Sequence, residues 1–243
     1  MAFSLVQAST DWVAASGVGT PGVITLGSTI TAGSTLIVVA AMDAANNRSF
    51  TISDSVQGTT GWVDQVFSDS ATSLRQQHIW TNVNHPGGSV TITVAISGSG
   101  VFQCFGMEWA GFGTVITLEG GEYTSEITSS TDHNASVGGL SSANPCVAVL
   151  AAETQSSSTI TLGTGYTSPL NALARYGGGY QIFSSGVSGE TGNWTSSIAR
   201  PGASILGLFS GNGGGAPPSG QPLRLRLGGV PHMSGCFRFG RSW

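Results

Sequence analysis

The sequence predicts an all-β protein: an antiparallel β-sandwich, jelly-roll-like or Ig-like, with an extended C-terminal arm. Three observations predict it. Only 8% of the residues are charged while 40% are hydrophobic; an ordinary soluble domain has roughly 25% charged residues. The polar positions are filled by Ser, Thr, Gly and Asn, which favour strands and turns, and not by the Glu and Lys that coat helices. Apolar segments are short and recur about every 10 to 15 residues between turn signals, the spacing of a sandwich or barrel.

Taken in order, Thr35 to Ala41 (TLIVVAA) is β-branched and nearly continuous, as in a buried strand. Ser49 to Ser53 alternates, Val63 to Phe67 follows a GTTG turn, and Leu74 to Trp80 alternates loosely. Ser89 to Ile96 (SVTITVAI) is the clearest period-2 run, with Val90, Ile92 and Val94 on one face and Thr91 and Thr93 on the other. Val101 to Ala110 sets Val101, Gln103, Phe105 and Met107 opposite Phe102, Cys104, Gly106 and Glu108. In the second half, Cys146 to Ala152, Ser158 to Leu162, Arg175 to Ser184 and Ala203 to Phe209 read as strands. Asn171 to Tyr176 (NALARY) has room for one helical turn at most. TLIVVAAMDA and CVAVLAAETQ resemble each other, as an internal duplication would, and as any two buried strands of a sandwich do.

Composition divides the chain into three parts. Residues 1–210 are the sandwich domain. Residues 211–222 (GNGGGAPPSGQP) form a flexible Gly/Pro-rich linker, and residues 223–243 a basic docking tail. The chain has no lysine. Before residue 211 four arginines face all twelve acidic residues, a balance of −8; the other four arginines follow it, and the two parts give the −4 of the whole chain. An acidic body offers no basic stripe for phosphates, which argues against nucleic acid as a partner. The tail alternates Leu and Arg at its start and is too short for a core of its own, so it gains stability only by docking, for instance at a sheet edge. The docking residues predicted are Leu223, Arg224, Leu225, Arg226, Leu227, Val230, Pro231, Phe237, Arg238 and Trp243.

The chemistry-bearing residues are sparse. His78, His85, His133 and His232 show no metal-ligand spacing; His85 reads as a solvated turn residue and His133 as a loop residue. No strand-to-helix GxSxG or phosphate-binding glycine loop is present. Glu108 is expected at a solvent-facing or edge position, and Asp43, Asp54 and Asp69 in turn hydrogen bonds at strand ends. Cys104 and Cys146 lie in apolar runs, as buried free cysteines do, and Cys236 makes the count odd. Neither an enzyme, a cofactor nor a metal site is expected. Trp62 and Trp194, each after a Gly-containing turn, are the candidate glycan contacts. No apolar run approaches the ~20 residues of a membrane helix, and no signal peptide is seen, so the expectation is a soluble chain made in a reducing cytoplasm.

The segments GSTLIVVAAMDA, ISDSVQGTTGW, HIWTNV, SVTITVAIS and GMEWAGF, continued by NPCVAVLAA, GYTSPL, YQIFSS, NWTSS and ASILGLF, resemble a β-sandwich domain of tailed-bacteriophage virion proteins. The resemblance covers about residues 33 to 210. LRLRLGGVPHMSG is similar to C-terminal peptides of phage structural proteins, with His232 where an aromatic is common. It implies a bacteriophage virion structural protein, decorating or stabilising the capsid or forming a fibre or tail-surface component. Such a protein is made in the host cytoplasm and anchored by its C-terminal arm. Its expected partners are other virion proteins of capsid or tail and copies of itself, for instance as a trimer. The alternative is a carbohydrate-binding module on a fibre or host-recognition protein.

Overall fold

The computed structural model describes residues 2–212 apart from 11, 17–19, 44–47, 69–74, 99, 137 and 172. The described residues form strands and turns and no helix. In chain order the strands are β1 (Ser4–Ala8), β2 (Val13–Ser16), β3 (Gly22–Thr25), β4 (Thr35–Asp43), β5 (Phe50–Asp54), β6 (Trp62–Phe67), β7 (Arg75–Asn82) and β8 (Thr91–Ile96). There follow β9 (Val101–Ala110), β10 (Ile116–Asn134), β11 (Leu140–Ser142), β12 (Cys146–Thr154), β13 (Ile160–Leu162), β14 (Tyr176–Phe183), β15 (Val187–Glu190) and β16 (Asn193–Gly211).

Two antiparallel sheets stack at the centre. The first has the order β1-β9-β4-β7-β6, with β2 also on β9; the second has the order β10-β16-β12-β14, with β13 on β16. Their shared core sets Ile37, Val39, Phe105, Met107 and Trp109 against Val147, Val149, Ala151, Ile205 and Phe209. Each sheet is covered on its other face as well. The sheet β3-β8-β5 brings Ile24, Ile92 and Val94 onto Leu36, Val38, Met42 and Phe102 of the first. On the second sheet, β11 and β15 bring Leu140 and Val187 over Leu150, Leu206 and Leu208. Burial on both faces is why TLIVVAA and CVAVLAA are continuous apolar runs with no polar alternation.

The long strands β10 and β16 each serve two layers. Their ladder shifts register between Glu126 and Ser130 and again before Asp132. Pro201, which has no amide to donate, lies opposite this break. Beyond it β16 turns over the sheet, and Trp194 packs on Ala152 and Ile160. The turn is tight: a Cβ on Gly202 would lie 2.8 Å from Trp194 and 2.9 Å from His133.

The expected alternations hold. Ile92 and Val94 are buried while Thr91 and Thr93 are half-buried, and Phe102 and Cys104 face one core while Phe105 and Met107 face the other. The described residues of 171–176 include no helical turn: Ala174 bridges to Thr159, and Arg175 has φ +68°. Strands β1, β2, β3, β10, β11 and β15 were not among the expected segments.

Both central sheets use one order: the opening strand of the half, its closing strand, its apolar run, then the second strand of that sheet to follow the run in the chain (β1-β9-β4-β7 and β10-β16-β12-β14). The likeness is one of strand order. Aligning TLIVVAAMDA on CVAVLAAETQ residue by residue sets Ile37 against Ala148, yet Ile37 faces the shared core and Ala148 faces away. A slip of one position exchanges every side chain between faces.

Gly211 still belongs to β16, pairing with Ile116, and Asn212 follows it. Residues 213–222 of the predicted linker and the tail, with Leu223, Arg224, Leu225, Arg226, Leu227, Val230, Pro231, Phe237, Arg238 and Trp243, lie outside the described residues.

Candidate functional site

The polar side chains fall into two groups, those that hold the fold and those that line its edge. Asp54 ends β5 as a turn-former. Its Oδ1 accepts from the amides of Val56 (2.8 Å) and Gln57 (2.6 Å), and its Oδ2 from the indole of Trp62 (2.9 Å). His85 Nε2 lies 3.7 Å from the same carboxylate. Burial alone would raise the Asp54 pKa, but the two amides and the indole, with the His85 imidazole close by, outweigh it and hold the carboxylate below its usual range. His85 is fully buried, its Nδ1 accepting from Gly87 N, which corrects its assignment to a solvated turn.

Trp62 is half-buried against the outer core, with its N–H committed to Asp54. It closes the turn that Asp54 opens between β5 and β6, which lie in different sheets. Trp194 is only 1% exposed and stacks on His133 at 3.9 Å between centroids, so neither of its faces is open to a sugar. The sequence misled here because Trp194 follows a turn by one residue of strand, and the sharp fold of β16 carries it inside. His133 likewise lies in β10 and is buried, not in a loop.

Glu108 is fully buried, contrary to the expectation of a wet or edge position. Its carboxylate accepts from Gln7 Nε2 (2.5 Å), Thr31 N (2.7 Å) and Ser34 Oγ (2.7 Å). Burial would raise its pKa; these hydrogen bonds together overcome burial and lower it. Arg75 of β7 and Glu153 of β12 lie 3.9 Å apart, both buried, and link the two central sheets at one end of their shared core. Gln77 Nε2 donates to Ala203 O nearby. Cys104 is buried, and desolvation pushes its thiol up to about 12. Among the described residues no three His, Cys, Asp or Glu side chains gather closely enough to hold a metal ion.

The second group lines one side of the sandwich, where the edge strands β6 and β10 lie over one another. Val66 of β6 packs so closely on β10 that a Cβ on Gly121 would lie 2.5 Å from it. Toward the end where β10 begins, the seam between them opens. Val63, opposite Thr81 in the ladder, is 52% exposed, and Ile116 and Leu118 are half-buried. Carboxylates flank the seam. Asp64 Oδ2 lies 2.8 Å from His78 Nδ1, whose ring stacks between Phe67 and Trp80. Glu119 accepts from Ser210 Oγ and Asn144 Nδ2, and Glu122 from Ser136 Oγ (2.5 Å). Together β6 and β10 carry Asp64, Glu119, Glu122, Glu126 and Asp132, five of the twelve acidic residues, and no arginine. On the opposite side of the sandwich, β1, β2 and β14 carry no charged residue. Sequence reading missed this edge because ITLEGGEYTSEITSS breaks its alternation with Gly-Gly; its acidic residues without a basic neighbour were the available signal. Comparison with family models, with curated proteins and with solved structures returned no match.

Proposed function

We propose that the chain is a bacteriophage virion structural protein, a component that decorates or stabilises the capsid or contributes to a fibre or tail surface, held there by its C-terminal arm. The observation that supports this most is the division of charge. The layered body ends its last strand at Gly211 with all twelve acidic residues behind it, and the arm beyond carries half of the arginines. An arm of that composition has no core to join by itself and favours an acidic or apolar neighbour. The body's polar clusters serve its own turns and sheet contacts, as the roles of Asp54, Glu108 and Glu153 illustrate. Its surface includes Val6, Val23, Val63, Phe67, Val101, Val115, Ile182 and Ile198, all exposed, and a charge-poor, partly apolar exterior suits packing against other proteins. The resemblance of ISDSVQGTTGW, HIWTNV and GMEWAGF to phage virion sandwiches points the same way.

The test is deletion of residues 213–243. The truncated chain is expected to keep the circular dichroism spectrum of a β protein and to be lost from assembled particles. Particles that carry it at the occupancy of the full chain would rule out the arm as anchor.

A further inference from the structure

We propose that the acidic double edge of β6 and β10 is the acceptor for Leu223–Leu227 of a second copy of this chain, which adds as a strand beside β10. The inference rests on the arm-anchored reading above and names a partner for the arm. Among the described strands β10 pairs with β16 alone, so its other side offers unpaired backbone groups to an incoming strand. A strand laid there places alternate side chains into the seam and onto the outer face. LRLRL matches both requirements. Leu223, Leu225 and Leu227 would meet Val63, Ile116 and Leu118 between the sheets. Arg224 and Arg226 would meet the outer face, where Glu122 sits opposite Leu206 with Glu119 close by. Opposite charges across a strand pair are favourable, and β10 has no arginine to oppose them.

The source of the arm follows from where the chain leaves the body. Gly211 pairs with Ile116, the first residue of β10, and Asn212 Oδ1 accepts from the amides of Thr114 and Val115 just before it. The chain therefore leaves past the end of its own edge, which lies back alongside it. The ten residues between Asn212 and Leu223 reach up to about 35 Å when extended, far enough to cross to a neighbour. Each copy then gives an arm and receives one, a head-to-tail contact that closes into a ring when the rotation permits.

The test uses full-length chains carrying Cys236→Ser, one with Leu225→Cys and the other with Val63→Cys, mixed in a glutathione redox buffer. A disulfide-linked heterodimer is expected. Its yield should fall roughly tenfold when Arg224→Glu and Arg226→Glu are added to the first chain, and recover when Glu119→Arg and Glu122→Arg are added to the second. A yield no greater than with Ile198→Cys, an exposed site off this edge, would overturn the proposal. So would a chain carrying both Leu225→Cys and Val63→Cys that closes only on itself. If linkage is absent while deletion of 213–243 still strips the chain from particles, the self-docking fails and the anchoring reading stands. If linkage forms and the deletion leaves particle occupancy unchanged, the anchoring reading fails by itself.

Discussion

Glu108 shows how a carboxylate is kept at full burial. Three donors converge on it from Gln7, Thr31 and Ser34, so β9 is tied to β1 and to the loop before β4. Hydrogen bonds to a charged group contribute about 1.5–3 kcal/mol each. Glu108→Gln keeps the shape, loses the charge and turns one donor against the others. It is expected to cost roughly 2–3 kcal/mol, read from the midpoint of urea unfolding. The pH dependence has a defined sign. The folded pKa lies below the unfolded value of about 4.3, so this stabilisation is complete above the unfolded value and is lost as pH falls through the folded one. Asp54 behaves in the same sense. Glu108→Gln should therefore flatten the acid side of the stability curve below about pH 4. An acid limb identical to that of the parent would show that the carboxylate is not the titrating group. In the sequence, alternation puts Glu108 on the face of Phe102 and Cys104. What stays hidden is that residues as remote as Gln7 and Ser34 arrive to bond it.

At the scale of the strand, β14 is instructive. Its Tyr-Gly-Gly-Gly-Tyr run would be a weak strand by propensity, since glycine loses backbone entropy and packs no side chain. Packing explains it. A Cβ on Gly178 would lie 2.6 Å from the Phe105 ring, and one on Gly179 would lie 2.4 Å from Leu162. The bare backbone lets β14 close on the shared core on one side and on β13 on the other. Propensity predicts that Gly178→Ala stabilises; overpacking predicts a loss of about 1–3 kcal/mol. The loss is expected, checked by the thermal midpoint, and an unchanged or raised midpoint would show that Phe105 yields without cost. The strands legible in the sequence were those with an uninterrupted apolar run or strict alternation, such as β4, β8, β9 and β12. Strands β1, β2, β3, β11 and β15 are short, and β10 is an edge strand with bulges, so each lacks that signal. Trp194 is buried for a related reason: distance from a turn in sequence says nothing of which layer a folded-over strand will bring it to.

For the whole molecule, the shared core decides how it unfolds. Phe105, Met107 and Trp109 from the first half bury against Val147, Val149 and Phe209 from the second, and Arg75 meets Glu153 across the same boundary. Neither half keeps its central sheet covered without the other, so one cooperative transition is expected. Trp62, Trp80 and Trp109 report on the first half and Trp194 on the second. Single-tryptophan variants retaining Trp80 or Trp194 should give coincident denaturation curves, and separated midpoints would contradict a common core.

The repeated strand order carries a further consequence for what each half could do alone. A polypeptide of half this length, with one central sheet and one covering layer, would leave bare the face that carries Ile37, Val39 and Phe105. Its natural solution is a twin, set back to back. In this chain the second half takes that place, and the segment from Gly111 to Val115 holds the two together. Two halves joined in one chain need not match, and each sheet here keeps its own register.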